Sequence, residues 1–280
     1  MTVANPVSGG ASQAHRAARP RSAPRARLEA SRRRGNAQPP PPYPPAPEGE
    51  TLYVIGDVHG RADCLVRAQA RIDRDRGAAP GASRATEIYL GDHVDRGPDS
   101  RAVLDRMAAR ARATRIVALR GNHETAMESF LGGLLPFAQW RAIGGAETLL
   151  SYEFGAAELR RAGGPSCEAF AAHLPSEHWR FLAGLQDFHR VDGYCFVHAG
   201  LRPGVALESQ DIADLTGIRD EFLDDDRDFG FIVVHGHTPV ERVDFRSNRI
   251  NLDTGAYVSN RLSALRIDAA GAALLAPEAQ

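Results

Sequence analysis

Lysine is missing from this chain, so all 34 of its Lys+Arg residues are arginine. Codon bias toward Arg, Ala, Gly and Pro together accounts for that, and arginine number alone makes no case for phosphate binding. Cysteine is scarce as well: Cys64, Cys167 and Cys195 are the only three. They are odd in number and form no CxxC pair, which argues against a disulfide framework or a zinc knuckle. Such usage fits a reducing compartment. No apolar stretch approaches the ~18 to 20 residues that a membrane span needs. The first residues hold no apolar signal segment, so the expected location is the cytoplasm, with no membrane partner. A formal net charge of -1 offers no whole-molecule attraction to nucleic acid.

What is present is enough for one large domain and a tail. The chain has 280 residues, 43% of them hydrophobic and 25% charged. Residues 1 to about 49 stand apart, dominated by Arg, Ala, Ser and Pro and closing on Pro39 to Pro42, Tyr43, Pro44 and Pro45. That composition cannot bury enough apolar surface to offset the entropy of ordering, so a disordered tail is expected over 1–49. The remaining residues, 50–280, are expected to form the folded domain.

Five short apolar runs follow, and each breaks into a polar signature. Leu52 to Ile55 leads into Gly56-Asp57-Val58-His59-Gly60. Ile88 to Leu90 leads into Gly91-Asp92-His93-Val94-Asp95-Arg96-Gly97. Ile116 to Leu119 leads through Arg120 into Gly121-Asn122-His123-Glu124. Tyr194 to Val197 leads into His198-Ala199-Gly200, and Phe231 to Val234 into His235-Gly236-His237-Thr238-Pro239. Length and β-branched or aromatic content mark each run as a buried strand ended by glycine and polar residues. Ala62 to Arg76 and Ser100 to Arg112 carry helical periodicity, giving repeated βαβ logic. A long stretch without strand signal, about 125–190, reads as a helical insertion; it holds Trp140, Gly144-Gly145 and Thr148. Arg249 to Leu252 and Arg261 to Ile267 read as strands again. The class is α/β, with two facing sheets and helices outside. Groups placed just past strand ends can meet at one rim of such a sheet.

The residues at those ends suit a two-metal site. Asp57 and His59, two apart in an extended turn, can reach one ion. Asp92, directly after the second strand, is the candidate bridge, and Asn122, His198 and His237 complete a second ion. Two ions about 3.5 to 4 Å apart can acidify a shared water and polarise phosphoryl oxygens. His123 projects beside the ligands, where it can protonate a leaving alkoxide. Asp95 can orient that imidazole, and Arg96 can offer its planar fork to phosphate oxygens. His93 and His235 sit beside ligands and are expected to support them rather than bind metal.

Taken together, these signatures resemble the metallophosphoesterase superfamily. Val94-Asp95-Arg96-Gly97 with Gly121-Asn122-His123-Glu124 is similar to its phosphoprotein phosphatase branch, and the Gly236-to-Pro239 ending to bacterial serine/threonine protein phosphatases. The resemblance covers about Leu52 to Ala256. It implies a four-layer αββα sandwich, two divalent metal ions of the Mn²⁺ type (or an Fe/Zn pair), and direct attack on phosphorus by a metal-bound hydroxide. It assigns Asp57, His59 and Asp92 to the first metal and Asp92, Asn122, His198 and His237 to the second. His123 matches the acid, Asp95 its partner, and Arg96 a phosphate contact. The second phosphate arginine maps to Arg219, with Gly217 where the branch has tryptophan. The implied function is hydrolysis of phosphomonoesters, foremost on phosphoserine and phosphothreonine in proteins. Hydrolysis of a dinucleotide such as diadenosine tetraphosphate is the alternative. Asp95 favours the first, since the dinucleotide branch carries Asn there. A non-catalytic phosphate-binding module would have a broken ligand set, and this one is intact.

Overall fold

The computed structural model describes residues 42–78, 84–161 and 163–276. The chain divides into two units, Met1–Gly35 and Asn36–Gln280. The first lies outside the described residues, and every element below belongs to the second.

Two five-stranded mixed sheets form the centre. In the first, β1 (Glu50–Ile55), β2 (Arg84–Tyr89) and β3 (Arg115–Ala118) run parallel. In the second, β4 (Phe188–Val191) pairs antiparallel with β5 (Tyr194–Val197), which runs parallel to β6 (Ile232–His235). There β8 (Arg249–Asn251) continues the parallel set, and β7 (Asp244–Phe245) closes the edge. The first sheet is completed beyond β1 by the antiparallel strands β9 (Ala264–Asp268) and β10 (Gly271–Leu274). The two parallel cores bring six strand exits to one rim.

Strand alternation builds the layers. Leu52 and Val54 of β1 face inward, where they share a core with Tyr194, Phe196, Val234 and Ile250 of the second sheet. Tyr53 and Ile55, the alternate residues, face a different core, packed by α1 (Ala62–Ala78) and α2 (Ser100–Ala113). Cys195 and Val197 of β5 likewise turn outward toward α9 (Ile212–Gly217) and α10 (Asp220–Leu223), with Leu215 and Phe222 between. A period of two in the side chains thus yields helix, sheet, sheet and helix in order. This is the expected four-layer αββα sandwich.

The insertion is helical as expected. It comprises α3 (Asn122–Leu131), α4 (Phe137–Arg141), α5 (Gly145–Ser151), α6 (Ala156–Leu159), α7 (Cys167–His173) and α8 (Ser176–Ala183). Phe130, Trp140 and Phe170 cluster at its heart, with ring centroids 4.8 to 6.3 Å apart.

The segment 1–49 was expected to be tail, and residues 1–41 of it lie outside the described residues. The rest packs on the domain. Tyr194 donates its hydroxyl proton to the Pro44 carbonyl at 2.6 Å, and the Ala46 N–H donates to the Asp268 carbonyl at 2.9 Å. Ala46 is buried, so the packed chain begins ahead of residue 49.

Candidate metal centre

Backbone hydrogen bonds tie the strand exits together before any side chain is considered. Val58 and His59 both donate N–H to the Asp92 carbonyl, at 3.1 and 2.7 Å, and Gly60 donates to the His93 carbonyl. The third loop joins through Gly121, where an added Cβ would lie 2.2 Å from Asp92 Oδ1. Only glycine permits that approach. Gly91 has φ +102°, a left-handed turn closed to most side chains. Five non-glycine residues here also hold positive φ: His59 (47°), Asp92 (49°), Asp95 (71°), Arg96 (67°) and His237 (66°). Strain of this kind collects where surrounding structure over-determines a functional geometry.

Asp92 sits at the middle. Its Oδ2 lies 3.3 Å from His59 Nε2 and 3.9 Å from His123 Nε2, while its Oδ1 lies 3.3 Å from His198 Nε2. The two carboxylate oxygens therefore face two groups of donors. One is His59, Asp92 and His123; the other is Asp92, His198 and His237. Asn122 joins the second group, its Oδ1 being 3.2 Å from His198 Nε2 and 2.8 Å from His237 Nδ1. Asp57 is tied in through its Oδ2, which accepts from the His237 N–H at 2.9 Å. All six candidate ligands thus converge, and His123 joins the first group beside them.

The donor atoms are aimed. His59 Nδ1–H donates to the Val94 carbonyl at 3.1 Å and His198 Nδ1–H to the Leu90 carbonyl at 2.9 Å. Each leaves Nε2 turned to Asp92. This outer partnering fixes the ring orientation of a metal-binding histidine. Asp57 Oδ1 and His123 Nε2 are buried with no hydrogen-bond partner. An orphaned carboxylate oxygen beside aimed imidazoles is what a site built for cations leaves unsatisfied without them. An N and O ligand set with one neutral amide suits a borderline divalent ion.

Electrostatics agree with that fit. Burial, then repulsion from Asp253, pushes the Asp57 carboxyl well up. Burial opposes ionisation of Asp92 too, but His198, His123 and His59 prevail and hold it well below the usual carboxylate range. Burial would depress His198, yet Asp92 and Asp57 push it up to about 10. Burial drives His59 and His237 down, with no net rescue from their neighbours. The raised His198 and His123 imidazoles face the depressed Asp92 carboxylate, a charge role that divalent ions would take over on binding.

Asp95 Oδ2 accepts from His123 Nδ1–H at 2.8 Å, both groups fully buried. The Arg96 Nη1 donates to His59 Nε2 at 3.0 Å, and its guanidinium lies 4.9 Å over the Tyr257 ring. Arg219 Nη1 donates to Thr238 Oγ1 at 3.0 Å and to the His237 carbonyl at 3.3 Å. Gly217 is exposed, and a Cβ there would meet nothing within 4 Å. His93 and His235 are both fully buried. The first bonds the Leu119 carbonyl through Nε2, and the second packs edge-on to Phe222.

Sequence reading missed three contributors. Glu124 accepts four backbone N–H groups: Asp92 and Gly121 on Oε2, His93 and Val94 on Oε1. Its signal was an acid at the third position of a helix, facing back to the chain before it. Asp253 is buried just past β8, and burial with Asp92 nearby pushes it up to about 6. An acid just past the sixth parallel strand was legible as a position. The third contributor is the pair Trp140 and Thr148, which reach Asp95 from the insertion; spacing gave no hint of that contact.

Comparison with known proteins accords with this geometry. A sequence profile of the family described as calcineurin-like phosphoesterase matches residues 51–269. The asymmetrical bis(5'-nucleosyl)-tetraphosphatase PrpE of Anoxybacillus flavithermus is 25% identical over 234 residues, covering 76% of this chain and 89% of that protein. PrpE of Bacillus velezensis is also 25% identical, over 76% of this chain and 87% of its own. Among solved structures, a putative diadenosine tetraphosphatase superposes with a TM-score of 0.56 at 19% identity, covering 82% of this chain and 94% of that one.

Proposed function

The chain belongs to the calcineurin-like phosphoesterase family, and from that premise we propose that it hydrolyses phosphomonoesters, foremost phosphoserine and phosphothreonine in proteins. The observation that carries this reading is the buried Asp95–His123 pair at 2.8 Å. A serine or threonine alkoxide is a poor leaving group and needs a proton as the P–O bond breaks, whereas a nucleotide leaving group needs little help. A site that invests a buried acid–base pair next to the metal ligands is built for the harder departure.

Asp57, His59 and Asp92 would hold one divalent ion, and Asp92, Asn122, His198 and His237 a second; Mn²⁺ is the proposed native metal. Bound there, the ions would supply an acidified water and polarise the phosphoryl oxygens. The chain's own residues do the rest. Arg96, bonded to His59, and Arg219, bonded to the His237 carbonyl, orient the phosphate through their planar donors. Arg96 must leave His59 Nε2 to do so, swinging from the ligand to the incoming oxygens. His123, held by Asp95 through Nδ1, gives the proton on Nε2 to the departing oxygen. The unpaired thiols Cys64, Cys167 and Cys195 fit a cytoplasmic setting. Among the described residues no helix is long and apolar enough to cross a membrane.

A second reading, cleavage of a bis(5'-nucleosyl)-tetraphosphate, is favoured by the PrpE relatives, which are named asymmetrical bis(5'-nucleosyl)-tetraphosphatases and are 25% identical over 76% of this chain. One assay separates the two: Mn²⁺-loaded enzyme on phosphoserine peptide, p-nitrophenyl phosphate and diadenosine tetraphosphate side by side. The proposal expects peptide turnover to equal or exceed that on the dinucleotide. A preference for the dinucleotide by orders of magnitude overturns it.

A further inference from the structure

Trp140 and Thr148 stand on α4 and α5, yet both side chains end on Asp95. Trp140 Nε1–H donates to Asp95 Oδ2 at 2.9 Å, and Thr148 Oγ1–H donates to Asp95 Oδ1 at 2.6 Å. With His123 also on Oδ2, three donors surround a carboxylate that is 0% exposed. Proton accounting fixes the direction of each bond. An indole N–H and a backbone N–H can only donate. The hydroxyl of Thr148 has one proton, and the contact with the carboxylate uses it. Ser100 Oγ, 2.9 Å from Thr148 Oγ1, therefore donates to Thr148, and the Asp95 N–H donates to both hydroxyl oxygens at 3.0 Å.

The insertion is also seated on the strained backbone of the same loop. The Arg96 N–H donates to the Gly144 carbonyl at 3.1 Å, and a Cβ on Gly144 would come within 2.7 Å of the Arg96 nitrogen. Gly145 lets the Trp140 ring lie against its backbone, where a Cβ would be 2.3 Å from Cδ2. Phe130 and Phe170 pack that ring at 4.8 and 5.6 Å, so the indole has no room to swing. Hydrophobic filling alone would be served by phenylalanine; the polar edge is spent on one carboxylate.

We infer that Trp140 and Thr148 are positioning residues, which clamp Asp95 so that His123 keeps Nδ1–H inward and Nε2 toward the ester oxygen. The inference rests on the proposed role of His123 as the acid. The clamp acts through that imidazole and touches neither substrate nor ligand. Its loss falls on substrates that need the proton and spares those that do not.

The test uses full-length Mn²⁺-loaded enzyme with p-nitrophenyl phosphate and a phosphoserine peptide. Thr148→Val should lower kcat on the peptide about tenfold more than on p-nitrophenyl phosphate, with KM nearly unchanged, a fraction of the full acid effect. Thr148→Ser should restore the wild-type ratio. Trp140→Phe, which keeps the ring packing, should repeat the selective loss. Placed on His123→Asn, the Thr148→Val change should cost nothing further. Equal losses on both substrates, or a full additional loss in the His123→Asn background, overturn the clamp. If His123→Asn itself slows both substrates alike, the acid assignment falls first and takes the clamp with it. Melting temperatures of all variants separate these outcomes from misfolding.

Discussion

Metal binding should expel a proton from His198, and the amount can be worked from the site. Nδ1–H is committed to the Leu90 carbonyl at 2.9 Å, so only Nε2 can ligate. In the metal-free protein Asp92 and Asp57 push this imidazole up to about 10 against the effect of burial. At about pH 7.5 it is almost wholly protonated, with Nε2–H facing Asp92 Oδ1 and Asn122 Oδ1. A cation must displace that proton. Removing it about 2.5 units below its pKa costs roughly 3 kcal/mol at ~1.4 kcal/mol per unit. Apparent affinity should therefore rise close to tenfold per pH unit and level off near pH 10, with about one proton released per chain and more if Asp57 is also protonated. Titration calorimetry with Mn²⁺ in buffers of different ionisation enthalpy counts the protons directly. The same sign governs the metal-free fold. A raised imidazole pKa contributes stability fully below about pH 6.5, lost as pH rises through about 10. Affinity independent of pH between about 6.5 and 9, with no proton released, would refute the placement of His198 against Asp92.

Three further outcomes follow from neighbouring contacts. Glu124→Gln replaces one accepting oxygen with a donor and leaves two of four loop N–H groups unpaired. It should cost roughly 2 to 4 kcal/mol, read as a lowered melting temperature with weakened Mn²⁺ binding. An unchanged melt would show that the loops hold without it. Arg96→Ala should raise KM and reduce kcat together through lost phosphate orientation, and steady-state kinetics unchanged within error would remove Arg96 from the site. Deleting residues 1–48 removes the hydrogen bonds made by Tyr43, Pro44 and Ala46. It should lower stability by roughly 3 kcal/mol at ~1 kcal/mol each while leaving kcat of the folded fraction intact. Denaturant titration with an activity assay checks both halves.

The fold was legible where short apolar runs broke into glycine and polar residues. Tyr194–Val197 coincides with β5, and β1, β2, β3 and β6 fall within a few residues of their runs. Short edges were not: β7 is two residues long and β10 is Gly-Ala-Ala-Leu, too weak a pattern to read locally. Helix α3 begins at Asn122 rather than Thr125, because the ligand loop itself forms the first turn. In the site, the five signatures announced the residues that converge. What stayed hidden acts through long-range hydrogen bonds, such as Thr148 to Asp95 across 53 positions. Such contacts depend on tertiary packing and leave no spacing signature.

The central claim is that Asp92 joins two cation sites. The direct measurement is metal content after loading with Mn²⁺ and gel filtration, for wild type and Asp92→Asn at equal far-ultraviolet circular dichroism. The account predicts two ions per wild-type chain and fewer than one in the variant. A wild type that holds one ion or none at saturation, or an Asp92→Asn protein that keeps two, would contradict it.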